Sequence, residues 1–311
     1  MDIISEIKKL KSEKNAIILA HYYQRFEVQD IADFIGDSFA LSQKAASNNA
    51  DIILFAGVKF MAETAKILSP EKKVILPEMN AGCSLADSCN TKDFRKFIKE
   101  NPGRTIITYV NTNIGIKALS DIICTSSNAV KIVESLPPDE KIIFTPDRNL
   151  GNYILNKTGR DIIVWNGNCH VHKEFSLEAI NEIKKSYPEA KVIVHPECEL
   201  PVRMIADFIG STSALLEFTK RDSAVTYIIG TEPGIIHQMK AANPDKTFIP
   251  VPPRDSTCGC NECSFMKLIT LEKIYKCLKN EAPEIKINNK TIEKARKPIL
   301  RMMEISEKLG L

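Results

Sequence analysis

Nine cysteines stand in a chain of 311 residues, an odd number in a chain too long to need disulfide staples. Thiols used this way serve a reducing compartment as metal ligands, nucleophiles or buried hydrophobes. Their positions matter more than their number. Cys83 lies 50 residues after Asp33 and Cys169 lies 48 after Asp121, while Cys258, Cys260 and Cys263 follow Asp207 by 51, 53 and 56. Those aspartates mark an internal repeat: Ile31 to Gly36 and Ile205 to Gly210 both read Ile-Ala-Asp-Phe-Ile-Gly, and Leu119 to Ile123 is a weaker copy between them. One thiol from each of three repeats, at one topological position, would converge near a pseudo-threefold axis. Zinc usually takes four ligands drawn from tight local pairs, and only Cys260 and Cys263 form such a pair. Three dispersed thiolates better suit a [4Fe-4S] cluster whose fourth iron stays open to substrate as a Lewis acid. Cys89, Cys124, Cys198 and Cys277 fall outside this register and read as inert buried thiols.

Polar residues share the register. Twelve positions before the aspartates stand His21, Tyr109 and His195; ten before stand Tyr23, Asn111 and Glu197. Residues two apart on a strand face the same way, so each repeat offers two polar side chains at the carboxyl end of its first strand. Five positions after the aspartates stand the hydroxyls of Ser38, Ser126 and Thr212, each near a helix start. A single hydroxyl there reads as an N-cap. Three in register suggest helix N-termini that together hold a multiply anionic substrate.

Each repeat must position these groups with the same elements. A helical pattern (2 to 13, 91 to 100, and 177 onward with Ser176 as its cap) precedes a first strand (16 to 20, 105 to 108, 191 to 194). A second helix, a second strand (51 to 55, 141 to 144, 225 to 229), a third helix and a third strand (74 to 76, 162 to 165, 247 to 249) follow the aspartate. The short β-branched runs suit parallel sheets buried on both faces. The fold class expected is α/β: three pseudo-threefold-related three-layer αβα units, at 1–87, 88–173 and 174–311, around a central cluster site. The last also carries C-terminal helices, the second kinked at Pro298. Ligands in such folds bind outside the carboxyl ends of the strands.

Composition excludes several classes. With 44% hydrophobic and 26% charged residues the chain is globular, and a net charge of +3 provides no field for nucleic acid or an anionic membrane. No apolar run approaches the roughly 18 to 20 residues of a membrane span, and the charged amphipathic start is no signal peptide. Small-molecule partners and a cytoplasmic location are expected.

Five stretches then resemble the quinolinate synthase family of de novo NAD synthesis: Ala20 to Gln24, Phe60 to Lys66, Tyr109 to Thr112, His195 to Cys198, and the last cysteine cluster with Met266. The resemblance implies a triangular fold of three αβα units around a [4Fe-4S] cluster. It implies condensation of iminoaspartate with dihydroxyacetone phosphate to quinolinate, phosphate and two waters. A transient contact with an enzyme that supplies iminoaspartate is a further implication. Repeat register alone favours Cys258 as the third ligand, whereas the family pattern places it three residues before a methionine, as Cys263 precedes Met266; the set implied is Cys83, Cys169 and Cys263. The resemblance also makes His21, Ser38, Tyr109, Asn111, Ser126, His195 and Thr212 the substrate-holding set. Tyr23 and Glu197 become the proton-transfer pair, with Glu197 also touching substrate. His172, three residues after Cys169, becomes the candidate acid for a departing hydroxyl, and His21 is catalytic as well as binding. Glu63 and Lys66, three apart on a helix, suit either an ion pair or a substrate contact.

Overall fold

The computed structural model describes residues 2–254 and 261–311, so Cys258 and Cys260 lie outside the described residues. Among the described residues the strands form three four-stranded parallel sheets. The first holds β1 (Ala16–His21), β2 (Phe34–Gly36), β3 (Ile52–Ala56) and β4 (Lys73–Ile75) in the order β2-β1-β3-β4. The second repeats this order with β5 (Thr105–Tyr109), β6 (Ile122–Cys124), β7 (Ile142–Thr145) and β8 (Ile162–Val164). The third does so with β9 (Lys191–Val194), β10 (Phe208–Ile209), β11 (Thr226–Gly230) and β12 (Thr247–Pro250). Helices cover both faces, which is why all five residues of β3 are buried although the run shows no alternation. The chain is thus an α/β protein of three repeated αβα layers. No helix among the described residues is long and apolar enough to cross a membrane.

Sequence periodicity predicts three strands per sheet; the structure has four. The additional ones, β2, β6 and β10, are two or three residues long and directly follow the repeat aspartates, too short for a period-two signal. The aspartates hold them in place. Oδ2 of Asp33, Asp121 and Asp207 accepts from the amides of Ile18, Ile106 and Val192 at 2.8, 2.8 and 2.7 Å. Their own amides donate to the carbonyls of those same residues. The repeated motif is therefore a clamp that ties an edge strand to the first strand, and its recurrence marks architecture.

Four positions before each aspartate stand Gln29, Lys117 and Arg203, all buried, and each reaches the next repeat. Gln29 donates to the Gly234 carbonyl at 3.0 Å; the Lys117 ammonium sits 5.3 Å from the Phe60 ring centre; the Arg203 guanidinium lies 5.7 Å from that of Tyr153. First on third, second on first and third on second, these contacts close the triangle. Two further helices pack across it: Leu271–Asn280 lies against Ile3–Glu13, and Asn289–Lys308 lies across β6. Pro298 is inside that second helix, which runs unbroken for 20 residues.

In every sheet the chain leaves the first strand toward one edge and then returns to its other side. Between β1 and β3, β5 and β7, and β9 and β11 the connections diverge, which opens a crevice at the carboxyl ends. All three crevices face one another.

Candidate active site

One cavity, lined by residues of all three repeats, occupies this meeting point. His21 and Tyr109 are the last residues of β1 and β5, and His195 follows β9, its amide bonded to the Gly230 carbonyl at 3.0 Å. The backbone fixes both histidine tautomers. Two residues on, the amides of Tyr23 and Glu197 donate to Nδ1 of His21 and His195 at 3.2 and 3.3 Å, so the ring proton of each is on Nε2. Burial pushes His21 down to about 4 and His195 down to about 3, against the pull of nearby acids. Both are neutral hydrogen-bond donors near neutral pH.

Tyr109 donates to Glu197 Oε1 at 2.5 Å. Burial acts to raise the Glu197 carboxyl, but the neighbouring His172 and the Tyr109 hydroxyl outweigh it and hold it below the usual carboxylate range. Burial also lifts the phenols of Tyr23 and Tyr109 well above their ordinary value. The phenol of Tyr23 is shared with Thr212 Oγ1 at 2.8 Å and Thr231 Oγ1 at 2.7 Å, and Thr231 meets His172 Nε2 at 3.0 Å. On its other side His172 places Nδ1 2.9 Å from Glu197 Oε2, at an angle that makes no hydrogen bond, so this buried nitrogen lacks a partner. No direct hydrogen bond joins Tyr23 to Glu197: Thr231 and His172 link them, in a line that crosses all three repeats.

The three register hydroxyls also line the cavity, yet they are not the caps. Asp37 caps the helix Ser38–Ala46 by accepting from Phe39 and Ala40, and Ser211 caps Thr212–Arg221 by accepting from Ala214. Asn128 Oδ1 accepts from the Thr125 amide. In the first and third repeats these bonds occupy amides at the helix starts, and in all three the side-chain hydroxyls line the cavity. Asn111 lines it too, with an Oδ1 atom that lacks a partner among the described residues.

Cys83, Cys169 and Cys263, one from each repeat, line the same cavity. Burial pushes Cys83 up to about 12 and Cys263 up to about 11, and lifts Cys169 well above the ordinary thiol value. Ionising such thiols requires a cation beside them. Ligand atoms of Cys169, His172 and Glu197 lie within 4.8 Å of one another, a group able to bind a metal. The remaining described cysteines, Cys89, Cys124, Cys198 and Cys277, are buried in the surrounding cores and do not line the cavity.

Other polar residues sort themselves by contact. His170, beside His172 in sequence, bonds Ser84 at 2.7 Å, whereas His237 pairs with Asp30 at 2.7 Å and stacks on Phe26. Glu63 and Lys66 do not pair: Lys66 reaches Glu284 at 3.6 Å, while Glu63, raised chiefly by burial, feels the charges of Lys117 and Lys59. Three residues escape sequence reasoning: Thr231, Asp37 and Glu232. Fully buried Glu232 accepts from the amides of Cys263 at 3.2 Å and Gly234 at 2.7 Å, and lies 3.0 Å from the Lys267 ammonium. Lys267 in turn donates to the Tyr23 carbonyl at 2.9 Å. A register signal existed for Glu232, since Asp147 occupies the same place two residues past β7; Val58 breaks it in the first repeat.

Side chains able to exchange protons, gathered away from bulk water where three parallel sheets end, belong to an enzyme. Comparison with known proteins identifies which kind. A family model described as Quinolinate synthetase A protein matches residues 5–304, and the chain belongs to that family. Proteins named quinolinate synthase are similar over nearly their whole length. That of Thermosynechococcus vestitus is 56% identical over 306 residues, covering 98% of this chain and 96% of its own. Those of Synechocystis sp. and Microcystis aeruginosa are 55% and 56% identical over 305 residues, covering 98% of this chain and 96% and 95% of theirs.

Proposed function

We propose that the chain is a quinolinate synthase of NAD biosynthesis, which condenses iminoaspartate with dihydroxyacetone phosphate to give quinolinate, phosphate and two waters. The observation that carries this reading is the single cavity into which three repeats each deliver one thiol and one pair of polar strand-end side chains. The donor set fits a [4Fe-4S] cluster held by Cys83, Cys169 and Cys263. These are thiols alone, they come from three separate loops, and burial keeps them protonated unless a cation takes the proton's place. When bound, the cluster supplies a Lewis-acidic iron for the substrate's oxygen atoms.

This chain's residues do the rest. No lysine or arginine lines the cavity among the described residues. Substrate carboxylate and phosphate oxygens are therefore held by neutral donors: Nε2–H of His21 and His195, the hydroxyls of Ser38, Ser126 and Thr212, and the Asn111 amide. Neutral donors bind an anion without trapping the product's charge in an ion pair. Glu197, an anion at working pH, takes protons from carbon and nitrogen, and the adjoining Tyr109 hydroxyl keeps its carboxylate aimed. His172, whose Nδ1 lies 2.9 Å from Glu197 Oε2, passes protons between Glu197 and the Thr231–Tyr23 pair once a small ring rotation aligns that contact, and the pair returns one to a departing hydroxyl. Closing an aromatic ring requires several such removals and returns, and a line of exchangeable protons supports both directions. A buried cavity keeps unstable iminoaspartate from water.

Anaerobic reconstitution with iron and sulfide, followed by a quinolinate assay with the two substrates, tests the proposal. Product formed only by reconstituted protein is the expected result. A loaded protein that makes none would overturn it.

A further inference from the structure

We infer that the iron-free protein has a binding site for a single zinc-type divalent ion, built from Cys169, His172 and Glu197 and sharing only Cys169 with the three-thiol set. The three ligand atoms lie within 4.8 Å of one another. A tetrahedral zinc ion, with bonds of about 2.0 to 2.3 Å, needs ligand atoms on the order of 3.5 Å apart, which small side-chain rotations supply here. His172 is 2% exposed, and its Nδ1 is buried with no hydrogen-bond partner although it points at a carboxylate oxygen. A metal ion bound between this nitrogen and the carboxylate would take the place of any proton held there.

The outer contacts of His172 and Glu197 are those of a metal centre. A metal-bound imidazole normally donates its other N–H to an oxygen, and Nε2 of His172 meets Thr231 Oγ1 at 3.0 Å. A ligating carboxylate is normally hydrogen-bonded through its second oxygen, and Glu197 Oε1 accepts from Tyr109 at 2.5 Å. Cys169 and His172 are three apart around the short helix His170–Lys173, so one turn presents both, and Glu197 approaches from the third repeat. One sulfur, one nitrogen and one oxygen with an open fourth position suit a borderline ion such as zinc or its cobalt surrogate. Calcium and magnesium, which take oxygen ligands, do not fit.

The site has a consequence for assembly. If Cys169 also serves the cluster, as proposed above, ion and cluster compete for one sulfur, and a zinc-loaded chain cannot complete its three-thiol set. That exclusion rests on the cluster reading; the ion site itself does not.

The experiment adds cobalt(II) anaerobically to iron-free protein and reads visible ligand-field bands, thiolate charge transfer and metal stoichiometry, then displaces cobalt with zinc. One cobalt per chain in a tetrahedral, thiolate-containing site is expected. His172→Ala, His172→Gln and Cys169→Ala should weaken binding at least ~100-fold, beyond the range seen for losing an outer contact alone. Glu197→Gln should shift the bands and weaken binding. Cys83→Ala and Cys263→Ala should bind cobalt as the unaltered protein does. Far-UV circular dichroism of each variant separates ligand loss from misfolding, and the glutamine variant keeps the side-chain volume of His172. Loss of the ion in Cys83→Ala or Cys263→Ala, with His172→Gln unaffected, would put the metal on the three thiols and overturn the inference. So would the absence of cobalt bands. The cluster reading is judged separately, by iron and sulfide in Cys83→Ala and Cys263→Ala, which leave this ion site intact. Zinc-loaded protein should assemble its cluster only after a chelator removes the zinc; unhindered assembly with zinc retained would overturn the exclusion.

Discussion

Glu232 offers a test whose size follows from its surroundings. It is fully buried, joins the Cys263 loop to the turn at Gly234, and faces Lys267, which ties the same loop to Tyr23. Burial raises its carboxyl from 4.5 to about 7, with the Lys267 charge and the amide bonds only partly offsetting this. The folded state thus keeps the Glu232 proton to higher pH than the unfolded state does. Stability linked to this group is fully present below about 4.5 and is lost as pH rises through about 7. Each unit of displacement corresponds to about 1.4 kcal/mol, so the loss is roughly 3 kcal/mol, undiminished by solvent because the side chain is sealed. Glu232→Gln keeps the shape and removes the titration. Urea unfolding of iron-free protein, with chelator present, should be measured for both chains at pH 4.5 and pH 8. The unaltered protein should lose about 3 kcal/mol relative to the variant across that interval. Contributions from titrating groups remote from Glu232 cancel in the difference. A difference that is flat with pH, or that grows in favour of the unaltered protein, would refute the burial argument and would mean that Lys267 dominates.

Other outcomes can be stated more briefly. Cys83→Ala, Cys169→Ala and Cys263→Ala should each fail to retain iron and sulfide after anaerobic reconstitution, while Cys124→Ala, at the buried end of β6, should retain both. Glu197→Gln should lower turnover by about 10² to 10⁴ with the cluster spectrum unchanged, the range for removing a general base; near-normal turnover would take Glu197 out of the mechanism. His21 and His195 should give the opposite pH signature to Glu232. Their folded values lie near 4 and 3, below the ordinary 6.5, so their share of stability is present above 6.5 and is lost as pH falls through that range. Urea titrations of His195→Asn should show a shallower acid loss than the unaltered protein. Asp207→Ala, which strips the acceptor from the Val192 amide, should cost about 1 to 3 kcal/mol in urea unfolding without altering cluster ligation.

Much of the site could be read from the chain because the repeat carries it. Strand ends and loop positions are local features, fixed within some fifty residues of each aspartate, so His21, Tyr109 and His195 announce one another by spacing alone. The aspartate clamp, a carboxylate bonded to an amide 15 residues earlier, is local in the same sense and appears as the recurring motif itself. The short edge strands were hidden because two or three residues hold too little pattern. What spacing could not yield were the contacts between repeats. Thr231 reaches Tyr23 across 208 positions, Lys267 reaches Tyr23 across 244, and the tie from Tyr23 to Glu197 passes through two side chains from other repeats. Helix caps likewise fell to Asp37 and Ser211, which freed the hydroxyls beside them. Sequence determined which residues reach the three crevices, because backbone geometry sets that repeat by repeat. Only the closed triangle decided which of them share a proton, because hydrogen bonds form over about 3 Å and depend on how the three layers dock.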